Sequence, residues 1–159
     1  MRKMRKQIQL DIKPGDVLRR FSPQEAHGLA DQWLQIFAAS GGVPTKQFMW
    51  HVFSFDVYEH VAKHEARQQY ENQVAPSYIV LTNDRQNALE SDVRPTWCSA
   101  TDFYVFPANF AWTMAFTHED GWLGPFLARH DQYERLNQDN LDRIHKLHQI
   151  DLAKGKGWA

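Results

Sequence analysis

Hydrophobic residues recur at three different spacings along this chain, and the spacings mark out its elements. Ala26, Leu29, Ala30, Trp33, Ile36 and Phe37 recur at helical intervals, which gathers them on one face at about 100° per residue. Ser22-Pro23-Gln24-Glu25 stands just before them. A serine that can cap, a proline at the first helical position and a glutamate three residues after the cap make a helix start. Gly41-Gly42 supplies the stop. Alternation governs residues 7–12 instead, where Ile8, Leu10 and Ile12 share one side of a short strand. Lys13-Pro14-Gly15-Asp16 then reads as a turn.

The unbroken apolar run Tyr78-Ile79-Val80-Leu81-Thr82 predicts a central strand buried on both faces. Phe48 to Phe55, rich in aromatic and β-branched residues, predicts another strand. Ser54 or Asp56, the latter with Glu59 as a capping box, predicts a second helix to about Val74, with Ala62, Ala66 and Tyr70 inward. Asn83-Asp84 predicts a turn into a short helix over Arg85–Leu89. Asp102–Phe106 and Ala111–Thr117 predict a hairpin around Pro107–Phe110, followed by an irregular connection at Gly121, Gly124 and Pro125. From about His130 to Leu152 a polar helix is expected, with Tyr133, Leu136, Leu141, Ile144 and Leu147 on its apolar side.

These elements predict an α+β fold: one domain over residues 22–153, with a mixed sheet of four to five strands, three to four helices and a long C-terminal helix. Residues 1–21 form a basic leading segment with a short strand, and residues 154–159 a flexible tail.

Composition narrows the class. The chain has 159 residues, 43% hydrophobic and 23% charged, enough for one folded core. No apolar run approaches the roughly 18 residues a membrane span needs, and Gln7 to Ile12 does not continue Met1-Arg2-Lys3 as a secretory signal would. One cysteine, Cys98, excludes an internal disulfide, so the expected compartment is the reducing cytoplasm. Charge is uneven. Residues 1–21 carry +5 and the remainder −6. The acidic body would repel phosphates, so nucleic acid is disfavoured as a partner and another protein is favoured.

Thr117-His118-Glu119-Asp120 is the one compact polar cluster, and it falls at a strand end, where scaffolds display sites. A histidine with carboxylates nearby has the parts of an acid–base pair: His118 as base, with Glu119 or Asp102 as its orienter. No nucleophile elbow or phosphate-cradling loop accompanies it. Adjacent strand residues point to opposite faces, so His118 and Glu119 converge only if the strand has already ended. Local ordering of the loop is the plainer reading. Trp122 and Phe126 on the same loop, with Glu119 and Asp120, could form an exposed binding patch.

His60 and His64, four apart on the second predicted helix, have the spacing of a metal clamp. Their order with Glu59 and Glu65 does not match the zinc-protease pattern, and they lie on the face away from Ala62 and Ala66. No metal or cofactor is assigned.

Trp50-His51-Val52-Phe53-Ser54, Tyr104-Val105-Phe106, Trp112-Thr113, Thr117-His118-Glu119 and Gly124-Pro125-Phe126 resemble motifs of a group of small bacterial proteins of unknown function. The resemblance spans roughly residues 22–130 and implies a bacterial, cytosolic, single-domain protein without an activity to carry over. The leading expectation is a non-catalytic interaction protein, an immunity protein that neutralises a basic toxin. The alternatives are a small hydrolase using His118, or metal binding through His60 and His64.

Overall fold

The computed structural model describes residues 9–39, 41–119 and 122–155. Its centre is a seven-stranded sheet, every pairing antiparallel. In chain order the strands are β1 (Ile12–Lys13), β2 (Val17–Phe21), β3 (Val61–Ala62), β4 (Tyr78–Thr82), β5 (Ala88–Ser91), β6 (Trp97–Cys98), β7 (Phe103–Phe106), β8 (Trp112–Phe116) and β9 (Phe126–Arg129). The large sheet runs β2-β5-β4-β7-β8-β9-β3, and β1 pairs with β6 in a separate two-stranded sheet. The helices are α1 (Pro23–Phe37), α2 (His51–Ser54), α3 (Lys63–Glu71) and α4 (Tyr133–Gly155).

Two cores lie on opposite faces of the sheet. Alternation along β4 sends Ile79 and Leu81 to one core, under α1 and α2, and Tyr78 and Val80 to the other, under α3. The first core packs Trp33 and Phe37 of α1 on Phe53 and Tyr104. Trp33 also donates its indole N–H to Thr113 Oγ1 at 2.8 Å, pinning the helix to β8. The second core holds Tyr70, Val105, Trp112, Met114 and Leu127.

Helix α1 starts as the sequence predicts. Ser22 Oγ accepts from the Glu25 N–H at 3.1 Å, and Glu25 Oε1 accepts from the Ser22 N–H at 3.0 Å. The β7–β8 hairpin and the buried strand β4 also form where expected. The alternating stretch before Lys13 yields only the two-residue β1, and Ile8 lies outside the described residues.

Several expectations are overturned. The sheet is larger than four to five strands and is not mixed. Beyond the expected β4, β7 and β8, the sheet takes in β2, β3, β5 and β9, each two to five residues long. Phe48–Phe55 is not a strand but a set of turns around α2. Its backbone finds partners in side chains: the Met49 N–H donates to Asn83 Oδ1 and the Trp50 N–H to the Tyr104 hydroxyl. The second helix starts at Lys63 rather than near Asp56. Asp56 and Lys63 both have left-handed backbones, at φ 58° and 59°, which interrupt a helix. Arg85–Leu89 is no helix either. Arg85 turns at φ 64°, and Ala88 and Leu89 pair with Leu81 and Val80.

Helix α4 also departs from the expected apolar side. Tyr133, Leu136 and Ile144 are half-buried and Asn140 is buried, whereas Leu141 and Leu147 are exposed. Among the described residues, no helix is long and apolar enough to cross a membrane.

Candidate functional site: an aspartate–histidine pair in an aromatic corner

The site forms at the open end of the β7–β8 hairpin. Register pairs Phe103 with Phe116, so Asp102 and Thr117 leave the two strands together. The His118 N–H donates to Asp102 Oδ1 at 3.2 Å, closing the end of the ladder with a side chain. β8 stops at Phe116, so the strand has ended before His118 and the rule of opposite faces no longer separates it from Glu119.

His118 Nδ1 lies 3.0 and 3.1 Å from the two Asp102 oxygens. A carboxylate only accepts, so Nδ1 carries the proton and Nε2 is left outward. Nε2 lies 3.6 Å from Glu119 Oε1. The Asp102 side chain is 11% exposed against 39% for His118, so the anion is shielded and the imidazole is at the surface. The hydrogen bond to Asp102 raises the His118 pKa above its ordinary value; burial opposes it, and the charges of Asp102 and Glu119 add to the rise.

Asp102 is held from three sides. Trp50 donates its indole N–H to Oδ1 at 3.0 Å and the Thr101 hydroxyl donates to Oδ2 at 3.2 Å. The Asn83 N–H anchors the Asp102 carbonyl at 3.1 Å. Asn83 Oδ1 in turn accepts from the Tyr104 hydroxyl at 2.7 Å. This network ties α2, β4 and β7 to one carboxylate, which fixes its orientation.

Aromatic rings surround the pair. Phe48 lies 5.1 Å from the His118 ring and stacks on Trp50 at 4.9 Å. His51 packs against Phe48 and Phe55, and its Nδ1 donates to the Pro44 carbonyl at 2.7 Å. Phe55 is 58% exposed and Trp122 is 76% exposed. The Trp122 N–H donates to the Glu119 carbonyl at 3.0 Å, which holds the two backbones together.

Gly124 makes room for this turn. At φ 146° a Cβ on it would stand 2.9 Å from Thr117 Oγ1 and 3.3 Å from the Phe126 ring. A side chain there would push on the residue that precedes His118.

The structure therefore brings His118, Glu119 and Asp102 together, with Trp122 alongside. Phe126 does not join an exposed patch. It is 4% exposed, in β9, stacked on Trp50 within the core. Asp120 lies outside the described residues. His60 precedes β3 rather than standing on α3, so the helical spacing that would align it with His64 does not exist. Its Nδ1 bonds the Tyr58 carbonyl at 2.7 Å. Among the described residues, no group of three or more His, Cys, Asp or Glu side chains is placed to hold a metal ion. Cys98 lies in the second core, where burial pushes its thiol up to about 11, away from nucleophilic use at neutral pH.

Sequence reasoning missed Trp50, Asn83 and Phe48 as members of the site. The Trp50-His51 motif was visible, but nothing in its spacing connects it to Asp102. A groove of about 460 Å³ adjoins Asp102 on the side of Asn83, Asp84 and Ser99. A wider one of about 910 Å³ runs past Tyr58, His60, Arg129 and Asp131, apart from His118.

Residues 27–127 match the family model described as a domain of unknown function (DUF4275), and the chain belongs to that family. The matched span runs from α1 into β9 and includes Trp50, Asp102 and His118, while β1, β2 and α4 lie outside it. No curated protein and no solved structure matches the chain.

Proposed function

We propose that this protein is a non-catalytic bacterial interaction module that binds a basic protein partner at the His118 corner, and that the partner is a toxin it neutralises. The observation that carries this reading is two exposed rings around this corner: Trp122, 76% exposed, whose N–H donates to the Glu119 carbonyl, and Phe55, 58% exposed, which packs on His51. Large exposed aromatics are the usual anchors of interfaces because they bury much area for few lost rotations. Their faces suit Lys and Arg side chains. The Glu119 carboxylate adds a charged acceptor. The −6 balance of residues 22–159 favours rapid encounter with a basic partner, which is the case for a nuclease-like toxin.

Affinity purification of the tagged protein from its native host, followed by mass spectrometry, tests the reading. A stoichiometric basic partner should appear, and Trp122→Ala should reduce its recovery about tenfold or more while leaving the unfolding midpoint unchanged. No partner, or one indifferent to Trp122→Ala and Glu119→Ala, would sink the proposal.

The Asp102–His118 pair supports a second reading, acid–base catalysis with His118 Nε2 as the proton acceptor and Asp102 as its orienter. Nε2 faces Glu119 Oε1 at 3.6 Å, and in this reading the attacking group is water. If His118→Ala folds normally and leaves every hydrolytic activity found for the wild type unchanged, this reading fails.

A further inference from the structure

Asp102 belongs to the histidine pair and also to the groove of about 460 Å³ between the end of β4 and the residues before β7. Charge in that groove is one-sided. Asp84 and Asp102 both line it, and among the described residues no Lys, Arg or His does. The neighbouring Arg85 sends its guanidinium to the Thr45 carbonyl instead, at 2.7 Å.

Hydrogen-bond donors in the groove are spent as well. The Thr82 hydroxyl gives its proton to Asp84 Oδ1 at 2.5 Å or to the Asn87 carbonyl at 3.1 Å, and the Thr101 hydroxyl donates to Asp102 Oδ2 at 3.2 Å. Asn83 donates its amide to the Gln47 carbonyl, and its oxygen accepts from the Met49 N–H and the Tyr104 hydroxyl. What these groups leave to a ligand is negative charge and lone pairs, so the ligand must bring positive charge and donors.

The remaining wall is apolar. Leu10 is 7% exposed and Ala100 half-buried, and both line the groove. An aliphatic stem can lie against them while its charged end reaches the carboxylates. An arginine side chain combines such a stem with a planar cation that carries five donors. A metal ion fits less well. Among the described residues no group of three or more His, Cys, Asp or Glu side chains is placed to hold one, and an apolar wall offers it no ligand.

We infer that this groove takes an arginine side chain of the basic partner, its guanidinium between Asp84 and Asp102, an assignment that rests on reading the His118 corner as a partner-binding site. Two ion pairs open to solvent hold one side chain weakly, with a Kd on the order of 1–10 mM for the side chain alone. Because Asp102 is shared, a cation bound in the groove is felt at His118.

Proton–nitrogen correlation NMR of the full chain, titrated with N-acetyl-arginine amide, tests the groove without the partner. The backbone signals of Asn83, Asn87 and Thr101 should move saturably, and the His118 ring signals with them. N-acetyl-norleucine amide, which has a stem and no charge, should move them little. Asp84→Asn keeps an oxygen for the Thr82 hydroxyl and the Gln86 N–H. It should weaken the arginine probe about threefold or more, and lower recovery of the partner from the host to a similar degree. The assignment is overturned by the absence of a saturable shift, by equal shifts with the norleucine probe, or by calcium binding there in place of the arginine probe. Probe affinity or partner recovery indifferent to Asp84→Asn overturns it too. Failure here is distinct from failure of the partner reading. A basic partner recovered by a protein that ignores the probe removes the groove and keeps the partner; probe binding with no partner in the host removes the partner and keeps an arginine site.

Discussion

Removing the Asp102 carboxylate should cost more than removing its charge, and the cost of removing the charge should depend on pH. Asp102 accepts from the Trp50 indole N–H, the His118 backbone N–H and His118 Nδ1. Trp50 is 2% exposed, so in Asp102→Ala its N–H is stranded away from water, at about 1–3 kcal/mol. His118 is at the surface and can turn to solvent, so its lost bonds add about 1 kcal/mol. The expected total is about 2–4 kcal/mol. Asp102→Asn keeps an oxygen for the indole and the backbone N–H but loses the charge and the Oδ2 acceptor of the surface Thr101 hydroxyl, so about 1–2 kcal/mol is expected.

The pH dependence comes from His118, whose pKa Asp102 raises above the ordinary 6.5. A histidine whose pKa is raised by folding adds stability that is full below its unfolded pKa and is lost as pH rises through the folded one. Asp102→Asn should therefore fall furthest below wild type near pH 5.5 and approach it toward about pH 9. Urea unfolding followed by tryptophan fluorescence measures both effects. A loss below about 1 kcal/mol for Asp102→Ala would refute the claim that this carboxylate organises the corner. A wild-type to Asn gap that widened with rising pH would refute the charge assignment.

Gly124→Ala should destabilise the fold by about 2–3 kcal/mol, since the backbone sits at φ 146° and the new Cβ meets Thr117 Oγ1 at 2.9 Å. Thermal unfolding measures the loss, and a shift of the His118 ring resonances should accompany it; an unchanged midpoint contradicts the close approach. Thr113→Val keeps the volume of a fully buried side chain but leaves the Trp33 indole N–H without its acceptor, at about 1–3 kcal/mol. Urea denaturation should show that loss for Val and a smaller one for Thr113→Ser, which retains the hydroxyl; equal stability of the Val variant would mean the bond contributes nothing.

Local signals were legible wherever one residue, or one short pattern, states its own geometry. The cap of α1, the turn at Lys13–Asp16, the buried run of β4 and the β7–β8 hairpin depend on neighbours in sequence, and all four stand in the structure. The acid–base candidates were legible for the same reason. His118 and Glu119 are adjacent, and Asp102 sits at the matching end of a hairpin whose register follows from its loop.

Tertiary contacts decided what remained. Phe48–Phe55 has the composition of a strand, yet its Met49 and Trp50 N–H groups are taken by Asn83 and Tyr104, on a different part of the chain, and those of residues 51–55 bond back within the segment, so no partner strand is needed. β2, β3, β5 and β9 exist because the sheet beside them offers a ladder, not because their own pattern demands one. Phe126 was placed at the surface by its loop and is buried by the ring of Trp50. Trp50 itself reaches Asp102 across 52 residues of sequence. Sequence by itself determined the α+β class, the strong helix start and the chemistry available to the site. Only the folded chain decided which of those groups meet, because a side chain's partner across a sheet is set by packing, and packing is a property of the whole core.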